Sequence, residues 1–146
     1  MIPKFRVWNE KQKKMFNYKD ILEVYPNRRE LLVSEPFINM DKSSFGLKLY
    51  RLTFDEVDIM AATGVFDEND VEVYEGDIVR FRYRYDKRID DDGVIIWMSD
   101  KACFGIELLY THEKYELHQI MKDHCLEVLC NICEHPHLLK EEDMNA

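Results

Sequence analysis

Residues 63–81 read TGVFDENDVEVYEGDIVRF, a glycine turn, an acidic loop and an amphipathic strand in direct succession. Gly64 takes φ > 0 at no steric cost, and Asp67, Asn69 and Asp70 hydrogen-bond their own backbone in turns, so residues 64–70 read as a connection. From there Val71 and Val73 alternate with Glu72 and Tyr74, the period of two of a short half-buried strand. After a second break at Glu75-Gly76-Asp77, Ile78 and Val79 lead into Phe81, Tyr83 and Tyr85 alternating with Arg80, Arg82 and Arg84. Two strands thus meet at a glycine corner, where Gly76 permits the bend and Asp77 can accept a hydrogen bond from a nearby backbone N–H. General acid/base work by Glu75 and Asp77 would need an enclosing pocket and a shifted pKa, and a structural corner is the simpler reading.

The strand over 78–85 admits two readings. An arginine row beside aromatics suits phosphate contact with base stacking, each stacked base contributing about 1–3 kcal/mol in single-strand binders. On that reading Arg80, Arg82, Tyr83, Arg84, Lys87 and Arg88 form a nucleic-acid-binding site. The simpler reading is a sheet with its aromatic face toward the core and its arginines in water, paired with carboxylates on a neighbouring strand or neutralised by Asp90-Asp91-Asp92.

Towards the C-terminus, Gly93 turns the chain into Val94-Ile95-Ile96-Trp97, making a long hairpin with 78–85 across the acidic tip. Residues 98–101 turn again, and 103–110 form a further antiparallel strand. Tyr115, Leu117, Ile120 and Met121 at spacings near three and four predict a short helix from about Glu113 or Leu117. Leu126, Val128 and Ile132 make a last strand, and Pro136 opens a final helical turn over 136–142.

Towards the N-terminus, Phe5, Val7 and Trp8 predict a strand, 9–14 a polar turn, and Met15, Phe16 and Tyr18 its return; the turn's Lys11, Lys13 and Lys14 are most simply solvated. Residues 21–25 are a short strand or one helical turn ended by Pro26-Asn27, and 28–39 are extended but interrupted at Pro36. Residues 43–46 read as loop. Thr53-Phe54-Asp55-Glu56 has the form of a capping box, yet Val57, Ile59 and Ala61 also alternate, so 54–62 stay open between helix and strand.

His124, Cys125, Cys130, Cys133, His135 and His137 are the residues that could hold zinc, and Cys130-x-x-Cys133 has the spacing of half a zinc knuckle. The other half is missing, since the remaining candidates crowd one short segment; core cysteines are the simpler account. No phosphate loop, nucleophile elbow or H-E-x-x-H motif occurs.

A length of 146 residues suits one domain, and 46% hydrophobic with 34% charged residues is globular. Met1-Ile2-Pro3-Lys4 lacks the apolar core of a signal peptide and no apolar run approaches the roughly 20 residues of a membrane helix. A cytoplasmic location with reduced cysteines at 103, 125, 130 and 133 is therefore expected. A net charge of −9 opposes anionic lipid and sequence-independent nucleic-acid binding.

The pattern TG-x-x-D-x-N-x-x-x-x-YEGDIV, carried by Thr63, Gly64, Asp67, Asn69 and Tyr74 to Val79, resembles the central signature of the YopX family of phage and prophage proteins. Lys4-Phe5-Arg6-Val7-Trp8 is similar to that family's opening K-F-R-x-W, and residues 93–97 fall where it has a G-x-V-x-W strand. Residues 127–132 with Pro136 and Leu138-Leu139 resemble its closing V-x-G-N-I-x-x-x-P-x-L-L. Cys130 stands where the family usually has glycine, Val71 where it often has glycine, and 67–70 are more acidic than usual. The resemblance implies a small, mainly β protein encoded by phages or prophages, with no established enzymatic activity and no catalytic motif to carry over.

The expectation is one domain over 1–146 with a frayed acidic end at 140–146. Its class is mainly β, α+β at most: a strongly bent antiparallel sheet or small SH3-like barrel with one or two short helices. Its core should include Phe5, Trp8, Ile78, Phe81, Ile95, Trp97, Phe104, Leu108 and Val128. Functionally it reads as a non-enzymatic accessory protein without cofactor that contacts a phage or host protein, or itself through exposed strand edges. Nucleic-acid binding through the basic strand is the alternative, and a metal-dependent enzyme a third reading.

Overall fold

Apolar–polar alternation recurs in short runs along the chain, and each run becomes a strand in the computed structural model, which describes residues 3–38 and 44–137. The fold is mainly β, with a strongly curled antiparallel sheet and one short helix among the described residues. The chain divides into two compact units, Met1–Met60 and Ala61–Ala146.

In the first unit, β1 (Phe5–Asn9) and β2 (Lys14–Phe16) form the expected hairpin, with Val7 opposite Phe16 and Trp8 opposite Met15. A 3-10 turn at Tyr18–Asp20 leads to β3 (Ile21–Tyr25), β4 (Glu30–Ile38) and β5 (Phe45–Thr53), an antiparallel sheet in that order. Val7, Phe16, Leu31, Val33 and Leu52 make its core, each side chain contributing about 1.5–3 kcal/mol by leaving water.

Two expectations in this unit are corrected. Pro36 does not interrupt β4, because β3 pairs with it only as far as Val33, and beyond that point a missing N–H costs no bond with β3. Phe45 and Gly46 belong to β5 rather than to a loop, since they continue an unbroken ladder opposite Ile38 and Phe37. Ser43 lies outside the described residues. Both open readings of 54–62 contribute: a 3-10 turn at Phe54–Glu56, with Thr53 Oγ1 donating to Glu56 Oε1 at 3.1 Å, then β6 (Val57–Phe66).

In the second unit, the later part of β6 pairs with β7 (Glu72–Tyr74). The main sheet has the order β11-β10-β9-β8-β12, from β8 (Asp77–Tyr83), β9 (Asp86–Met98), β10 (Cys103–Leu108), β11 (Lys114–Glu116) and β12 (His124–Asn131). Helix α1 (Leu117–Ile120) buries Leu117 and Ile120 against Val79, Phe81, Ile95, Ile106 and Leu126. Ile78, Val94 and Leu109 form a second cluster on the opposite face of β8.

The acidic tip is the main correction. Asp90, Asp91 and Asp92 lie inside β9, facing Arg82, Phe81 and Arg80 of β8, and the chain reverses at residues 84–85. Cross-strand attraction to the arginines outweighs the turn preference of aspartate. Gly93 is accordingly mid-strand, not a turn: a Cβ there would stand 2.3 Å from Ile106 Cγ2 and 3.0 Å from the Glu107 carbonyl oxygen. Residues 64–66 extend β6 through a register shift rather than forming loop, leaving 67–71 as the turn. Residues 114–116 are strand, so the helix begins only at Leu117. Trp97 is 48% exposed, not core, because it sits near the end of β9 with Phe104 edge-on at 5.1 Å as its neighbour. The expected turn over 136–142 and the acidic end at 140–146 lie mostly or wholly outside the described residues.

Candidate functional site

Alternation along β8 puts Val79, Phe81 and Tyr83 on the core face and Arg80 and Arg82 on the other. Register then sets Glu127 of β12 and Asp92 of β9 on either side of Arg80. Arg80 binds Asp92 through two bonds, Nε to Oδ1 at 2.9 Å and Nη2 to Oδ2 at 3.2 Å, and Asp92 holds the guanidinium above its ordinary pKa. Arg82 reaches Glu127 at 3.4 Å and Glu68 at 3.7 Å, while Arg88 pairs with Asp86 at 2.9 Å.

The six residues of the basic reading are thus only partly brought together. Tyr83 turns to the other face, beside Tyr85 at 5.4 Å and His124 at 5.5 Å. Arg84 and Lys87 are exposed at the β8–β9 tip, and the slipped register leaves residues 87–89 without cross-strand partners on β8.

The glycine corner is a structural knot. Gly76, at φ 89°, donates its N–H to Ile95 O and accepts from Ile132 N–H, both at 2.9 Å, and Glu75 N–H donates to Ala61 O at 2.9 Å. Asp77, 2% exposed, accepts Tyr74 N–H at 2.8 Å, the bond expected of it. Burial pushes the Glu75 carboxyl up. Burial, then the carboxylates of Asp77, Asp92 and Glu134, push the Cys130 thiol up, and a thiol so placed stays protonated.

The cysteine and histidine candidates are dispersed along β12 and the segment C-terminal to it. His124, at the start of β12, sits beside the rings of Phe81 and Tyr83 with Nδ1 2.5 Å from Asp123 Oδ1, whereas Cys130 stands opposite Ile78 near the far end. Among the described residues, no three His, Cys, Asp or Glu side chains are grouped to hold a metal ion.

Asp67 does more than its turn chemistry foretells. It is 5% exposed; Oδ1 accepts the N–H groups of Asn69 and Val71 at 2.8 Å, and Oδ2 accepts Val128 N–H at 3.0 Å. Glu68 N–H adds a bond to Leu126 O at 2.9 Å, so the acidic loop is sewn to the outer side of β12. Burial would raise the Asp67 pKa, but the three N–H donors outweigh it and hold the carboxyl below its ordinary range.

Sequence reasoning passed over a second feature, the outward row of the first unit's sheet. Register pairs Ile38 with Phe45, Pro36 with Leu47 and Ser34 with Leu49 on the face opposite Leu31, Val33 and Leu52. Phe45 is 81% exposed, Ile38 73%, Leu47 58% and Leu49 57%. The signal was present as a Phe-x-Leu-x-Leu alternation in residues 45–49, hidden by reading its start as loop. Elsewhere in this unit an open cleft of about 310 Å³ lies between Phe5, Tyr18, Ile21, Leu22 and Val24.

The profile of the family described as YopX protein matches residues 4–140, nearly the whole chain. The chain belongs to the YopX family. Its signature residues Tyr74, Glu75, Gly76 and Asp77 are those of the hydrogen-bonded corner, which gives the motif a structural reason. The crystal structure of protein EF1440 from Enterococcus faecalis is 24% identical with TM-score 0.59, over 95% of this chain and 99% of that one. The X-ray structure of protein yopX from Bacillus subtilis is 13% identical with TM-score 0.61, over 92% and 96% respectively. These likenesses show a shared fold. The comparison with curated proteins returned no match.

Proposed function

We propose that this YopX-family chain is a non-enzymatic protein-binding or assembly module, a phage or prophage accessory protein working in the bacterial cytoplasm. The observation that carries the binding reading is the row Ile38, Phe45, Leu47 and Leu49. Side chains exposed to that degree present on the order of 500 Å² of contiguous apolar surface, near the top of what monomers tolerate without a partner. The remaining clusters support it from the other side: the Glu75–Asp77 corner is tied by hydrogen bonds into the fold, and Cys130 packs against the Ile78, Val94 and Leu109 cluster.

The test is affinity purification from phage-carrying cells, with Phe45→Ser and Leu49→Ser as the comparison. A protein retained in stoichiometric amount by the natural chain after nuclease treatment, and lost from the double variant, is the expected result. Turnover of a substrate abolished by one side-chain change would overturn the reading.

Nucleic-acid binding is kept as a second reading by the exposed Arg84, Tyr85 and Lys87 at the β8–β9 tip. It requires binding that falls steeply with salt and weakens in the Arg80→Ala, Arg82→Ala, Arg84→Ala triple variant; unchanged affinity there removes it.

A further inference from the structure

We propose that the partner of this surface is a second copy of the chain, joined edge to edge through antiparallel pairing of β5 with the partner's β5 about a two-fold axis at Leu47. The inference rests on the protein-binding reading and names its partner.

The argument starts from sheet edges. Among the described residues β5 is paired on one side only, by β4. An outer edge is a row of unpaired N–H and C=O groups, and proteins normally guard it with proline, a bulge, a very short strand or charged side chains, lysine above all. The neighbouring free stretch of β4 beyond Val33 has such a guard in Pro36. On β5 the guards are the charges of Lys48 and Arg51 alone: it is nine residues long, without proline, and its ladder with β4 runs unshifted from Phe45 to Thr53. An edge of that length with an apolar face persists in a native protein when something covers it, provided the pairing keeps those charges apart.

The sequence of β5 is suited to covering itself. In a two-fold pair of antiparallel strands, facing residues have numbers symmetric about the axis and point to the same side. With the axis at Leu47, Phe45 faces the partner's Leu49, Leu47 faces the partner's Leu47, and every pair on the outward face is apolar. On the other face Lys48 lies opposite the partner's Gly46, over which the Phe37 ring is laid, and Lys48 already stands 5.8 Å from the Phe37 ring of its own chain. Arg51 falls beyond the paired stretch. Moving the axis to Lys48 or to Arg51 sets like charges directly opposite each other, which is unfavourable. Moving it to Leu49 sets Leu47 opposite the partner's Arg51, breaking the apolar row. The Leu47 axis therefore combines continuous apolar pairing with separated charges.

The measurement is the mass of the full chain by light scattering and sedimentation across a range of concentrations. A dimer is expected for the natural chain. Leu47→Lys, at an exposed position away from the core, should weaken dimerisation by on the order of a hundredfold or more by placing two ammonium groups together. A natural chain that is monomeric throughout overturns the proposal, as does an oligomer that a folded Leu47→Lys variant leaves unchanged.

If that variant does not fold, cysteine cross-linking decides. Leu47→Cys should join to its own copy above the background of the native cysteines. Leu49→Cys should do so only when mixed with Phe45→Cys. Linkage no greater than background overturns the register. A monomer that still retains a different protein through Phe45 and Leu49 overturns self-pairing alone and leaves the wider reading standing. A monomer that retains none removes both.

Discussion

Asp67 shows how one side chain can join distant parts of the chain. Its turn chemistry is local and was legible, because Asn69 and Val71 are neighbours in sequence. Its bond to Val128 spans 61 residues and left no local signal. Asp67→Ala takes the acceptor from three part-buried N–H donors and is expected to cost about 3 kcal/mol, read as a lowered urea midpoint. Asp67→Asn keeps one acceptor and should cost less. Because the folded carboxyl titrates below its unfolded value of about 3.9, its contribution is complete above that pH and is lost as pH falls through the folded pKa. The natural chain should therefore lose stability on the acid side more steeply than Asp67→Asn, and identical pH profiles would refute the assignment. The Glu75 and Asp77 pair teaches a related lesson: of the two carboxylates that suggest acid/base chemistry in a sequence, that of Asp77 is here bonded to Tyr74 N–H, at a corner where the Glu75 and Gly76 backbone is tied to neighbouring strands.

Strands expose the limits of reading turns from composition. The alternation that predicts β8 places Arg80 and Arg82 on one face, and from the sequence alone their partners could be water, phosphate or carboxylate. Pairing with β9 and β12 selects carboxylate, and so pulls Asp90, Asp91 and Asp92 into a strand that their intrinsic preference opposes. The bond pair between Arg80 and Asp92 is partly exposed, so Arg80→Met is expected to cost no more than about 1 kcal/mol in thermal unfolding. Gly93 has the larger effect despite making no such bonds. In Gly93→Ala the new Cβ meets Ile106 and the backbone of Glu107, and β10 cannot retreat without losing its ladder. A loss of about 2–3 kcal/mol is expected, against a few tenths for an ordinary exposed strand site.

At the scale of the whole chain, a net charge of −9 sets the long-range field, and Arg80, Arg82 and Arg88, each paired with a carboxylate, add little to oppose it. Gel-shift measurements with random duplex DNA at about 0.15 M salt are expected to show no retardation. Clear retardation would shift attention to Arg84 and Lys87. Each unit has its own buried cluster, around Leu31 and Val33 in one and Ile95, Ile106 and Leu126 in the other. By itself the sequence determined the strand-rich class, the hairpin of β1 and β2, the glycine corner before β8, the presence of a short helix near Leu117 and the family, because these depend on backbone sterics and on neighbours a few residues apart. Only the tertiary structure decided that the acidic run is a strand, that Gly93 marks a close approach, that Trp97 is half in water, that Asp67 reaches β12 and that an apolar row lies outside the core. Each of those depends on which strand lies alongside which and in what register, a choice made by contacts between residues far apart in the chain.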